Sequence, residues 1–394
     1  MFSGRVPARL ELNKVSQALA TRRREGRPFL DLTISNPTRV GLAYPPDLLA
    51  PLADPSGLDY TPTPFGSTEA RRAVAVDFAR RGMDVPIERI ALTASTSEAY
   101  SLLFKLLCDA GDQVLIPRPS YPLFDHLTRL DAVTAVPYDL EYHGRWSLDL
   151  GSVQRACTSR TRALLIVNPN NPTGSFVSAD ELAHLAHLCA ARGIAIISDE
   201  VFADYELAPG AAASAGRLAE RRDVLGFTLG GLSKSIGLPQ AKLAWIAISG
   251  PDDRIDQARE RLELVADTYL SVSTPVQIAA SALLRNGATV REQIQRRITA
   301  NFALLGAAID SVPSCRRLEA EGGWSAIVQV PSLSNEEDLV LSLLADDDVL
   351  VHPGFFFDFP TESFLIISLL GPSSELSDAV GRVIRRFAQK TGGR

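Results

Sequence analysis

The feature that most constrains this chain is a series of short, uniformly apolar segments, several followed by a helical pattern. Residues 90–93, 113–117, 163–167, 194–198, 224–229 and 243–248 are mostly apolar. Most lack a polar–apolar alternation, as expected of strands covered on both faces. Between them, Ala99, Leu102, Leu103, Leu106 and Leu107 recur at helical spacing. Residues 179–192 form a second helical pattern that stops at Gly193, a plausible C′ position. Buried strands separated by helices predict an α/β fold with a mainly parallel sheet. Such a sheet gathers ligand-binding residues outside the carboxyl ends of its strands.

After about residue 275 the rhythm changes. Residues 275–309 read as one long helical stretch, followed by mixed strands and helices and a last helix over 376–389. The expected division is a large unit, 46–275, and a smaller α+β unit, 276–394, completed by residues 1–45. A hydrophobic content of 46% supplies material for both cores and excludes the disorder signature. A net charge of -6 without a basic block gives no reason to expect nucleic acid or an anionic membrane as partner. The apolar runs are too short to span a bilayer, and the N-terminus lacks the apolar core of a signal peptide. Cys108, Cys157, Cys189 and Cys315 lie far apart without a CxxC pair, which suits free thiols in the cytoplasm. No metal site is expected. His184 and His187 have no ligand companions, and Asp346–Asp348 reads as a solvated turn.

The strongest chemical signal is Lys234, among small and polar neighbours just after the 224–229 strand. A partly desolvated lysine loses its proton more readily, and only the neutral amine forms a Schiff base. A lone Ser-Lys pair is weak evidence, since most lysines are solvated; three companions give it weight. Asp199 ends the 194–198 strand, where a buried carboxylate would keep a pyridine nitrogen protonated; its bland alternative is a helix cap. Asn171 lies in a turn stiffened by Pro169, Pro172 and Gly174; its alternative is an ordinary strand-to-helix connection. Ser95, Thr96 and Ser97 open a helix, where amides and hydroxyls bind phosphate; taken singly, capping is the better explanation. Together the four elements call for an amine nucleophile, a ring-nitrogen partner, a ring-oxygen donor and a phosphate cradle. Pyridoxal phosphate fits that set.

In order, Tyr60 with Gly66, Ser95-Thr96-Ser97, Tyr121-Pro122, Asn171-Pro172-Thr173-Gly174, Asp199-Glu200 and Ser233-Lys234 form a pattern that resembles the class I/II aminotransferases of fold type I. The resemblance covers nearly the whole chain. It implies a seven-stranded type of mainly parallel sheet between helices, plus a smaller α+β domain. It also implies pyridoxal 5'-phosphate as cofactor, an amino acid and a 2-oxo acid as substrates, and a homodimer with shared active sites. By resemblance, Lys234 is the Schiff-base lysine and proton shuttle. Asp199 partners the ring nitrogen, Asn171 the ring hydroxyl, and Tyr121 stacks on the ring. Ser95, Thr96, Ser97 and Ser233 surround the phosphate, and Tyr60 reaches the phosphate of the neighbouring subunit.

Four positions depart from the family pattern. Lys242 stands where an arginine usually binds phosphate, keeping the charge but losing the bidentate fork. Phe202 replaces a tyrosine that reaches the ring hydroxyl, a loss that Tyr205 is a candidate to offset, and Gly231 replaces a serine. The largest departure is Ile366, where the family carries the arginine that binds the substrate carboxylate. Losing that contact costs about 1.5–3 kcal/mol unless it is replaced. Ser35, Asn36 and Arg39 lie in a segment that closes over the site in relatives, Arg118 is a weaker candidate, and Arg382, Arg385 and Arg386 come too late in the chain. Trp324 and Phe355–Phe357 fall where relatives approach the substrate side chain, with small-domain core as the alternative. Tyr269 falls where dicarboxylate-specific relatives carry a partner arginine, so a neutral side chain is favoured over aspartate. Transamination is the first expectation. A lyase or decarboxylase on the same fold is the second, and a non-catalytic protein is the third.

Overall fold

A computed structural model of the chain describes residues 2–7, 11–332 and 335–391. Seven strands form the expected central sheet, and a short eighth, Trp146–Leu148, extends its edge. In spatial order they are Ile90–Thr93, Ala244–Ser249, Gly226–Gly231, Ala195–Asp199, Thr161–Val167, Gln113–Arg118, Thr134–Tyr142 and Trp146–Leu148. The run from Gly226–Gly231 to Thr134–Tyr142 is parallel. Ala244–Ser249 is antiparallel to both its neighbours, and Trp146–Leu148 is antiparallel to Thr134–Tyr142.

The lack of alternation has its physical reason here. Successive residues of one strand enter different cores on opposite faces: Ala163, Leu165 and Val167 join one, Leu164 and Ile166 the other. Burying each such side chain stabilises the fold by about 1.5–3 kcal/mol. Register then aligns the strand ends. Asp199 lies opposite Val167 on one side and Leu229 on the other, while Thr93 and Gly231 both pair with Ala244. The loops carrying Ser95, Asn171, Asp199, Lys234 and Lys242 therefore leave the same edge of the sheet.

A four-stranded antiparallel sheet follows, ordered Arg316–Arg317, Ser325–Gln329, Phe364–Ser368, His352–Pro353. Leu30–Asp31 pairs in parallel with Val349–Leu350, tying the N-terminal segment to the C-terminal region. The stretch 275–309 is two helices, not one: Thr274–Asn286 and Ala288–Ile309. They meet at Gly287, where a side chain would clash with Ile236 and the Leu283 carbonyl. Asp346–Asp348 is likewise not a simple solvated turn. Asp346 and Asp347 bind Arg386, and Asp348 binds Arg22. These pairs fasten the helix Lys14–Arg24 and the helix Ser373–Thr391 to the end of Glu336–Asp346. Met1, residues 8–10, 333–334 and 392–394, which belong to the expected small unit, lie outside the described residues. Among the described residues no helix is long and apolar enough to cross a membrane, and no group of side chains could hold a metal ion.

Candidate active site

The strand ends of the large sheet and the edge of the small sheet enclose a cleft of about 370 Å³, a size suited to a small-molecule ligand. Its lining includes Ser35, Ser95, Thr96, Ser97, Tyr121, Asn171, Asp199, Ser233, Lys234, Lys242 and Trp324. Eleven of the residues singled out from sequence thus face one space.

Lys234 follows the strand Gly226–Gly231 in a single helical turn, Leu232–Ser235. The buried Tyr205 fixes that turn, its hydroxyl donating to the Lys234 carbonyl at 2.6 Å and the Ser235 carbonyl at 3.1 Å. Tyr205 therefore does not offset the missing tyrosine at Phe202, because its hydroxyl is committed to main chain. Arg291 Nε donates to the same Ser235 carbonyl at 3.0 Å. The Lys234 Nζ sits 5.1 Å from the centre of the Trp324 ring and 5.6 Å from that of Phe202. Burial pushes the amine below the usual lysine range, while the Asp199 charge pulls the other way. The neutral, nucleophilic form is thereby easier to reach than in an exposed lysine.

Asp199 is buried at the end of its strand. Tyr100 donates to Oδ2 at 2.7 Å, and the Val201 amide donates to Oδ1 at 3.1 Å. Burial raises the carboxyl above its ordinary range, and these two bonds partly oppose that rise. A carboxylate so poor in solvent gains from a cationic N–H in the cleft. Tyr100 is a site residue that sequence reasoning missed. It belongs to the helical pattern, and only the folded sheet carries its hydroxyl to Asp199.

The turn after Val167 divides its asparagines. Asn168 Oδ1 accepts from the Val177 amide at 2.9 Å, while Asn170 is held by Ser120, Thr173 and the Pro119 carbonyl. Both are buried and structural. Asn171 alone lines the cleft, and its Oδ1 accepts from Ser325 Oγ at 3.3 Å. The peptide bonds before Pro119, Pro169 and Pro172 are cis. Gly174 has φ +69, and a Cβ there would lie 2.5 Å from the Gly322 carbonyl. Glycine at both positions lets this turn lie against the segment leading into Trp324.

Ser95 caps the helix Thr96–Leu107, its Oγ accepting from the Glu98 amide at 3.1 Å. Capping and cleft lining thus coexist in one residue. The first-turn amides of Thr96 and Ser97 have no i−4 carbonyl to bond and point toward anions. With Ser233 and Lys242, they form the polar end of the cleft.

Asn36, Arg39, Tyr60, Phe355 and Phe356 fall outside the cleft lining. Asn36 is exposed, and its Oδ1 accepts from the Thr38 amide and hydroxyl at 3.0 and 2.8 Å, capping the turn Pro37–Arg39. Tyr60 is 72% exposed and borders a separate groove that also contains Tyr269. Among the arginines considered, Arg118 pairs with Asp139, Arg382 with Asp378, and Arg386 with Asp346 and Asp347. No described arginine lines the cleft. Ile366 does, on the strand Phe364–Ser368, and so does Phe357, alone of the run Phe355–Phe357; Thr33, Ser368 and His352, which the sequence did not single out, join them.

The sequence profile of the family described as aminotransferase class I and II matches residues 32–383. An alanine aminotransferase of Mycobacterium tuberculosis is 28% identical over 383 residues, spanning 94% of this chain and 88% of that protein. The glutamate-pyruvate aminotransferase AlaA of Escherichia coli is 27% identical over 355 residues, 88% of this chain and 87% of that one. Among solved structures, an alanine aminotransferase from Pyrococcus furiosus superposes with a TM-score of 0.88 at 23% identity, covering 99% and 100% of the two chains. A Thermus thermophilus aspartate aminotransferase variant gives 0.81 at 22% identity, covering 98% and 99%. At those identities the structural likeness speaks for the fold.

Proposed function

The chain belongs to the class I and II aminotransferases, and from that premise we propose how its own residues divide the work. The enzyme moves an amino group between an amino acid and a 2-oxo acid. Pyridoxal phosphate is the cofactor this family uses, and the residues present fit it: a buried carboxylate, a lysine of depressed basicity and a polar helix N-terminus border one cleft. When bound, it supplies an aldehyde and an electron-withdrawing ring.

Lys234 Nζ would hold the aldehyde carbon and move the proton at the substrate Cα. Asp199, oriented by Tyr100, would keep a proton on the ring nitrogen. Asn171 would donate to the ring hydroxyl, and Tyr121 would cover the ring face. Thr96, Ser97, Ser233 and Lys242 would bind the phosphate, with Ser95 shaping their helix turn. Ser35 and Trp324 would meet the substrate. The exposure of Tyr60 and its shared groove with Tyr269 support a second copy completing the site, hence a homodimer. Four free cysteines support a reducing, cytoplasmic setting. We take 46–275 as the cofactor unit and 1–45 with 276–394 as the smaller one.

The single observation that carries this reading is the pairing, at the cleft floor, of buried Asp199 with an amine whose basicity burial lowers. The names of the relatives support alanine, glutamate and pyruvate as the first substrates to try, and a range not confined to dicarboxylates. The test is reconstitution with pyridoxal phosphate, borohydride reduction and peptide mapping, then a donor screen read from the cofactor absorbance. An adduct on Lys234 and conversion to the amine form of the cofactor are expected. An adduct elsewhere overturns the site, and release of ammonia or carbon dioxide points to a lyase.

A further inference from the structure

We propose that His352 receives the substrate carboxylate in this cleft and so determines which acids the enzyme accepts. The inference rests on the amino-acid and 2-oxo-acid reading above and names the group that would recognise the shared carboxylate.

Apart from tyrosine hydroxyls, four ionisable side chains line the cleft: Asp199, Lys234, Lys242 and His352. The first two lie together at the floor, and Lys242 belongs with the serine and threonine hydroxyls at the polar end. In the proposed function each of those three has a part in holding the cofactor, and His352 is the one without a role. It lines the same cleft as Lys234, with Phe357 and Ile366 as neighbours.

Register explains how it gets there. In the antiparallel pair of His352–Pro353 with Phe364–Ser368, the Cα partner of His352 is Ile366. Directly opposed residues of such a pair project from the same face of the sheet, and both of these line the cleft. The imidazole packs against Phe356 and Phe357, each with ring centres 5.8 Å away. Among the described residues, neither ring nitrogen makes a hydrogen bond. A largely enclosed imidazole without a partner gains from a ligand oxygen. Every substrate in an exchange between amino and 2-oxo acids brings a carboxylate, and no described arginine is available to it.

The charges around the ring set the sign of its pH response. Asp31 on the strand Leu30–Asp31 favours the protonated ring. Glu336 on the neighbouring helix Glu336–Asp346 is engaged by the Phe355 and Phe364 amides. The strand Phe364–Ser368 carries no ionisable group. The other charged groups lining the cleft are Lys234, Lys242 and Asp199. Burial outweighs Asp31 and lowers the imidazole below its usual range. Near neutral pH the ring is therefore mostly neutral and offers one N–H. As pH falls the cation appears, and an anionic substrate favours it further. Affinity for the carboxylate should rise toward acid.

The experiment compares KM for a 2-oxo acid and for its amino acid in the wild-type holoenzyme, His352→Gln and His352→Leu. For the wild type, KM should fall about fivefold from about pH 8 to about pH 6. His352→Gln keeps a donor without the charge, so the difference between its pH profile and that of the wild type should be this fall. His352→Leu should raise KM about tenfold near pH 8 and about fiftyfold near pH 6, with the larger part of the change in KM and not in kcat. A His352→Gln profile parallel to the wild type, or an unchanged KM in a folded His352→Leu, overturns the assignment. Conversion of the cofactor absorbance by saturating amino donor separates the two readings. If the wild type converts but the variants show unchanged KM, only the role of His352 falls. If the wild type converts with no amino acid, the transaminase reading falls with it.

Discussion

The floor of the cleft and the wall that faces it differ in what they carry and in how the chain supplies it. The floor holds Asp199, Lys234 and the Ser95–Ser97 turn, all delivered by loops leaving one edge of one sheet. The wall holds Trp324, Ile366, Phe357 and His352, drawn from the antiparallel sheet and the turn beside it. Charge is concentrated on the floor, where a cofactor common to all substrates would need it. The wall carries one imidazole beside the Ser325 and Ser368 hydroxyls and is otherwise apolar, which leaves the choice of substrate to shape and to a single ionisable group. Losing a charge on the floor should therefore remove chemistry, whereas changes on the wall should alter selection.

The sharpest way to break that contrast is Lys234→Ala. It should cut turnover by at least about 10³-fold and abolish the borohydride-trapped adduct; retained turnover would move the chemistry elsewhere. A wall variant tests the opposite side. Ile366→Arg introduces a permanent cation beside His352 and should lower KM for a 2-oxo acid about tenfold near pH 8. It should also flatten the pH dependence, because the guanidinium does not titrate. An unchanged KM would place the carboxylate away from this wall.

Tyr100→Phe probes how far the floor depends on its support. It removes one of two hydrogen bonds to a buried carboxylate, and about a tenfold loss in kcat is expected. Because that bond opposes the upward pull of burial, its loss should raise the Asp199 carboxyl further; infrared or NMR titration of the carboxyl would register the direction. The smallest effect belongs to Phe202→Tyr, which adds a hydroxyl to a ring whose centre lies 5.6 Å from Lys234 Nζ. Stabilisation of the deprotonated form should move the pH midpoint of the cofactor absorbance downward, with turnover altered only about two- to threefold. An upward or absent shift would show that position 202 does not reach the ring.

The floor was legible before any coordinates because its signals are local. A strand rule says where ligands sit, and a lysine, an aspartate and a proline-bound asparagine each follow a strand end. Tyr205 and Tyr60 show the limit of that method. One directs its hydroxyl to the Lys234 carbonyl, and the other lies exposed outside the cleft; neither side-chain direction is written in its neighbours. Asn36, attractive by position, is taken up by its own turn.

The sequence by itself determined the buried parallel sheet, the edge where the loops converge and the identity of the floor residues. Apolar runs and turn residues act over a few positions and need no knowledge of distant contacts. Only the tertiary structure decided that Tyr100 supports Asp199 and that His352 faces the cleft beside Ile366. Those pairings join residues 99 and 14 positions apart. They depend on helix packing and antiparallel register, which long-range burial selects and local pattern does not encode.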